Sequence, residues 1–144
     1  MDTSGSYTFS APADRVWDLL MNPGVIASCI PGCQSFQPDG ADRYRVKLDV
    51  ALAAITGSYD GLVILSDQVP YTSYRLIGEG QGHAGFIKGT ADVALRAAGD
   101  TTVVDVTAVV HAGGAIARVG QRLLGSVSKM MLDRFFACLQ SKVN

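Results

Sequence analysis

Two periodicities alternate along the chain and divide it into a short helical opening, a long run of strands and a helical close. Ser4 to Ser10 alternates, with Tyr7 and Phe9 on one face, which predicts a first strand. Pro12 suits a first helical turn, and Val16, Trp17, Leu19 and Leu20 recur at helical spacing until Asn22-Pro23-Gly24 stops them. A second short helical piece, Val25 to Cys29, ends at Pro31-Gly32.

From there the pattern is that of strands. Asp39-Gly40 makes a turn, and in Tyr44-Arg-Val-Lys-Leu-Asp-Val50 the apolar positions face a core while Arg45, Lys47 and Asp49 face water. Such alternation belongs to an antiparallel sheet with one wet side. Ile55 to Ser66, Thr72 to Glu79, Phe86 to Ala97 and Thr101 to His111 continue it with no helix between them, so a meander is expected.

The helical period returns from Ala115 to about Lys142. One long amphipathic helix is predicted, with Ala117, Gly120, Leu124, Val127, Met131, Phe135 and Cys138 as its apolar stripe. Arg118, Arg122 and Lys129 recur on the opposite side. Both apolar faces are buried if that helix lies across a curved sheet. The fold class is therefore α+β: a curved antiparallel sheet wrapped around a long C-terminal helix, with two short N-terminal helices. Its 144 residues make one domain, 1–144, large enough for a single core.

Charge changes the picture at one end only. From Gly114 onward five basic residues face Asp133 alone, giving that segment +4 and leaving −5 for the rest of a chain whose net charge is −1. That balance excludes a general nucleic-acid binder, which needs clustered Lys and Arg. No stretch reaches the roughly 18 uninterrupted apolar residues of a membrane-spanning helix. The N-terminus Met1-Asp2-Thr3-Ser4-Gly5 lacks the basic and apolar regions of a secretory signal, so a cytoplasmic protein with reduced thiols is expected.

The candidate chemistry is thin. Gly80-Gln-Gly82-His-Ala-Gly85 spells a dinucleotide fingerprint, but that device needs a helix after it, and a strand follows here. Cys29 and Cys33 are too far apart in sequence for a C-x-x-C clip, and Cys138, His83 and His111 show no spacing that completes a zinc site. Pro31-Gly32 explains the turn, with the cysteines as small hydrophobes. His111 reads as a junction residue. No serine, cysteine or paired carboxylate stands in a nucleophile arrangement. No catalytic residue and no metal are expected.

Several motifs, in order, carry a resemblance over about Gly5 to Leu139. They are Val16-Trp17, Asn22-Pro23-Gly24, Cys29-Ile-Pro-Gly-Cys33, Gly57-Ser-Tyr-Asp-Gly61, the glycine ladder Gly78 to Gly89, Gly113-Gly114-Ala-Ile-Ala117, Val119-Gly120 and Phe135-Phe136. Together they resemble the carbon monoxide dehydrogenase G-subunit family, of the START-like (SRPBCC) helix-grip superfamily. The resemblance implies a sheet gripping the last helix around an apolar cavity, with the cysteine-flanked turn at its rim and its thiols incidental. It also implies an accessory to a molybdenum hydroxylase of the carbon monoxide dehydrogenase type. Members commonly carry a further C-terminal extension that associates with membrane.

On this basis the expected function is carriage of a lipophilic ligand, a quinone such as menaquinone or ubiquinone, between membrane and enzyme, or recruitment of the enzyme to the inner face of the cell membrane. The expected cavity lining is Trp17, Ile26, Ile30, Phe86, Ile87, Val110, Ile116, Leu123, Val127 and Met131. Arg118, Arg122 and Lys129 are the expected contacts to the partner or to anionic headgroups. A docking or assembly factor with a filled core is the alternative, and a START-like enzyme such as a cyclase a third.

Overall fold

The computed structural model describes residues 2–51 and 55–143; Met1 and Asn144, the ends of the predicted domain, lie outside them. Strand β1 (Asp2–Phe9) leads into helices α1 (Ala13–Met21) and α2 (Pro23–Cys29). Six strands follow: β2 (Cys33–Pro38), β3 (Arg43–Val50), β4 (Gly57–Val69), β5 (Ser73–Gly82), β6 (Gly85–Ala98) and β7 (Thr101–Gly113). A 3₁₀ segment (Gly114–Val119) and helix α3 (Gln121–Ser141) complete the chain.

All strands form one antiparallel sheet in the order β1-β7-β6-β5-β4-β3-β2, a meander to which β1 adds beside β7. The predicted fold class is therefore the observed one: a curved antiparallel sheet, a long C-terminal helix and two short helices. Asn22-Pro23-Gly24 does more than stop α1. The Asn22 carboxamide oxygen accepts from the Gly24 and Val25 amides at 2.9 and 3.3 Å, capping α2, and Pro23 occupies its first turn.

The closing helix is not continuous. Gly120, at φ +90°, separates the 3₁₀ segment from α3. A 3₁₀ turn advances by three residues rather than 3.6, so the phase counted from Ala115 does not carry into α3. Its buried residues are Leu124, which the stripe includes, and Phe136 and Leu139, one residue beyond Phe135 and Cys138, which are half-buried against the core.

The core is divided. A larger cluster joins Phe9, Val16, Trp17, Leu20, Leu65, Tyr74, Val93, Leu95, Val104 and Val106 to Phe136, Leu139 and Val143. A smaller one, at the start of α3, joins Tyr59, Ile116 and Leu124. One hydroxyl in the larger core region, that of Thr102, donates to the Ala11 carbonyl at 2.8 Å, so its burial leaves no polar atom unmatched.

The expectation of three reduced, incidental thiols is overturned. Cys29 on α2 and Cys138 on α3 form a disulfide, their Cα atoms 5.4 Å apart. Sequence spacing could not show this, because 109 positions separate them and only the stacking of α2 on α3 brings them together. Cys33 remains free, and burial pushes its thiol pKa up.

Candidate functional site

Strand parity fixes which side chains face α3. Leu65 and Tyr74 are buried on the inner face, so Val63, Leu76, Gly78 and Gly80 share that face through the pairings Val63↔Gly78, Gly61↔Gly80 and Leu65↔Leu76. Across the next pairing, Gly80↔Ile87 and Gly78↔Gly89 place Ile87 and Gly89 there too. These residues are half-buried rather than buried. At Gly78 an added Cβ would meet only a Leu76 methyl, at 3.9 Å, so the middle of the inner face holds room.

The predicted lining residues fall into three groups. Trp17 and Ile116 are packed into the two core clusters; the indole of Trp17 stands edge-on to Tyr74 at 5.7 Å. Ile26, Ile30, Ile87, Val127 and Met131 belong to neither cluster, and Val110 faces the same side, half-buried. Val127 and Met131 lie on α3 between Leu124 at one cluster and Phe136 at the other. Both are half-buried apolar side chains outside the two clusters.

Phe86 and Leu123 stand apart from the rest of the predicted lining by their exposure. Phe86 precedes Ile87 on β6, so their side chains point to opposite faces of the sheet. Phe86 is 47% exposed on the outer face, its ring lying across its partner Gly113, where a Cβ would come within 2.2 Å of it. Leu123 is 39% exposed. The glycines of the β5–β6 hairpin hide this parity, because they supply no apolar alternation to count.

The outer face carries a feature the sequence reading missed. Arg45, Asp60, Leu62, Glu79, Phe86 and Lys88 border a shallow groove of about 400 Å³. The signal was present in the strand pairs Lys47↔Asp60 and Glu79↔Lys88, opposite charges facing across adjacent strands.

The predicted basic strip is also altered. Arg118 and Arg122 are exposed, but Lys129 is half-buried and turned to β1. Its Nζ lies 3.1 Å from Asp133 Oδ1 and 3.5 Å from the Tyr7 hydroxyl, over the Tyr7 ring. The Tyr7 hydroxyl donates to Asp133 at 2.6 Å. That hydrogen bond, then Lys129, holds the Asp133 pKa below the usual carboxylate range. Burial first, then Asp133, raises that of Tyr7.

Among the described residues no three His, Cys, Asp or Glu side chains gather as a metal-holding group, and no helix is long and apolar enough to cross a membrane.

The fold has relatives among solved structures. A conserved protein from Geobacillus kaustophilus superposes with TM-score 0.96 at 31% identity, covering 99% of this chain and 95% of that one. A START superfamily protein from Mycobacterium smegmatis superposes at 0.75 with 12% identity, over 99% of this chain and 96% of that one. The Zhui aromatase/cyclase from Streptomyces sp. R1128 does so at 0.69 with 16% identity, over 99% and 93%. A comparison with curated proteins gave no match. Residues 5–144 match the carbon monoxide dehydrogenase G-subunit (CoxG) family, and with the START-like fold already in place the chain belongs to that family.

Proposed function

We propose that this protein is a non-catalytic accessory to a molybdenum hydroxylase of the carbon monoxide dehydrogenase type, and that it holds a lipophilic molecule between α3 and the sheet. A quinone, menaquinone or ubiquinone, is the ligand class that fits a membrane-soluble electron acceptor serving a soluble enzyme. The protein carries it between membrane and enzyme, or brings the enzyme to the membrane. Exposed Arg118 and Arg122 supply the contact to anionic headgroups or to the partner.

The observation that carries this reading is the set of half-buried apolar side chains left outside both core clusters, Ile87 on the inner face of the sheet and Val127 and Met131 on α3, with room for a side chain at Gly78. Apolar surface left half-wet inside a fold is worth covering at about 0.8 kcal/mol per buried methylene, which an isoprenoid chain supplies repeatedly.

Filling that room tests it. Gly78→Leu and Val127→Trp should each leave the fold intact and reduce the lipophile that copurifies, while Phe86→Trp, on the outer face, should not. Undiminished lipophile in both inner-face variants would place the site elsewhere.

A further inference from the structure

The sheet has two ends, and they differ in kind. One end holds the β5–β6 hairpin and the 3₁₀ segment with Arg118. The other holds the β2–β3, β4–β5 and β6–β7 turns. At this second end Val69, Pro70 and Tyr71 are consecutive and exposed, Val69 by 52% and Tyr71 by 53%.

This turn is built, not loose. Tyr71 sits at φ +67°, a conformation that glycine and asparagine adopt cheaply and that a bulky aromatic does not. Asp42 (φ +56°) and Asp67 (φ +52°) share that left-handed region, and these are the non-glycine residues found there among the described residues. Asp suits it; Tyr does not. The Tyr71 ring is propped edge-on against Trp17 at 6.3 Å, the Thr72 amide donates to the Val69 carbonyl at 3.0 Å, and the Gln68 carboxamide reaches Asp42 at 3.5 Å and Met21 Sδ at 3.6 Å. Glycine would hold this backbone with less strain, and the contact with Trp17 still leaves Tyr71 53% exposed, so the turn keeps an aromatic ring where a partner can reach it.

We propose that Val69-Pro70-Tyr71 is a docking knuckle that inserts into an apolar socket, edged by Lys or Arg, on a partner protein. Charge selects a protein over a membrane. Asp42 and Asp67 flank the knuckle and Asp14 and Asp18 lie on the helix that props it; none of the four closes a salt bridge among the described residues, and against them stand Arg15, Arg43 and Arg75, the last already paired with Asp92 while also acting on Asp67, so acid still exceeds free base at this rim. An anionic bilayer would be repelled by that rim, and a basic socket attracted. Assigning the socket to the partner hydroxylase rests on the function proposed above; it places the enzyme at the end of the sheet opposite Arg118.

The test measures affinity of the full chain for the purified hydroxylase, and for phosphatidylglycerol–phosphatidylcholine vesicles, with urea unfolding alongside. Tyr71→Gly removes an anchor and relieves the backbone, so it should weaken enzyme binding about tenfold or more with little loss of stability. Val69→Asn should also weaken binding, and Asp42→Asn with Asp67→Asn should flatten its salt dependence. Unchanged affinity in the Tyr71 and Val69 variants would overturn the knuckle while leaving the proposed function standing. No complex with the parent chain would overturn both, and loss of vesicle binding in Tyr71→Gly would show a membrane contact instead.

Discussion

The ring of Tyr7 lies flat on that of Phe136, centroids 4.3 Å apart and planes 6° from parallel. Edge strand β1 and the C-terminal half of α3 are thus joined by one stack, which the Tyr7–Asp133–Lys129 contacts extend to the surface. Gly5 makes it possible, since a Cβ there would stand 2.5 Å from the Tyr7 hydroxyl. Phe136→Ala should destabilise by about 3–5 kcal/mol, and Tyr7→Phe, which keeps the stack and loses the hydrogen bond, by about 1 kcal/mol. Urea unfolding of both variants checks the ratio.

The same contacts set a pH response. Asp133 and Asp105 both titrate below the ordinary carboxylate value in the fold, Asp105 at about 2 through its hydrogen bonds from Arg96 and then Ser6. A lowered folded pKa contributes stability above the unfolded value of about 4, lost as pH falls through the folded one. Stability should therefore decline from about pH 4 towards 2, less so in Asp105→Asn. Tyr7, whose pKa is raised, contributes below about pH 10 and loses that contribution above it, a loss absent from Tyr7→Phe. Melting temperature against pH reads both.

For the cysteines, alkylation under denaturing, non-reducing conditions should modify Cys33 and spare Cys29 and Cys138. Cys138→Ser should cost about 2–5 kcal/mol by releasing a loop that spans most of the chain, and Cys33→Ser close to nothing. Alkylation of all three would show that the α2–α3 link is not made.

At the turn between these cysteines the backbone itself decides. Gly32 has φ +76°, its carbonyl accepts from the Asp49 amide at 2.9 Å, and a Cβ would stand 2.1 Å from the Asp49 carbonyl oxygen. Gly32→Ala should destabilise by more than about 1 kcal/mol, since both conformation and contact oppose it. Pro31→Ala, which leaves that approach open, should cost less in the same unfolding assay.

How much of this could be read beforehand depended on whether the relevant signal was local. Tyr44 to Val50 alternates with one wet face and nothing interrupts the strands after it, so sheet and meander followed from neighbouring residues alone. The face of α3 did not. It is set by Gly120, where the helix restarts, and by two different neighbours along its length: Ile116 and Tyr59 near Leu124, then β1, α1 and α2 near Phe136 and Leu139. Ile87 and Phe86 show the same limit at the candidate site, since one residue of parity separates an inner wall from an outer groove and glycines erase the count. The Cys29–Cys138 bond and the lysine turned to Tyr7 are tertiary facts with no local trace.

Whether a lipophilic passenger sits among the apolar side chains left between the two core clusters is read by native mass spectrometry of the protein purified from its own host. The expected result is a mass excess equal to one lipophilic molecule per chain, released by organic solvent with the absorbance of a quinone and diminished in Val127→Trp. Protein at its bare sequence mass, with Val127→Trp raising stability by filling a dry space, would contradict it.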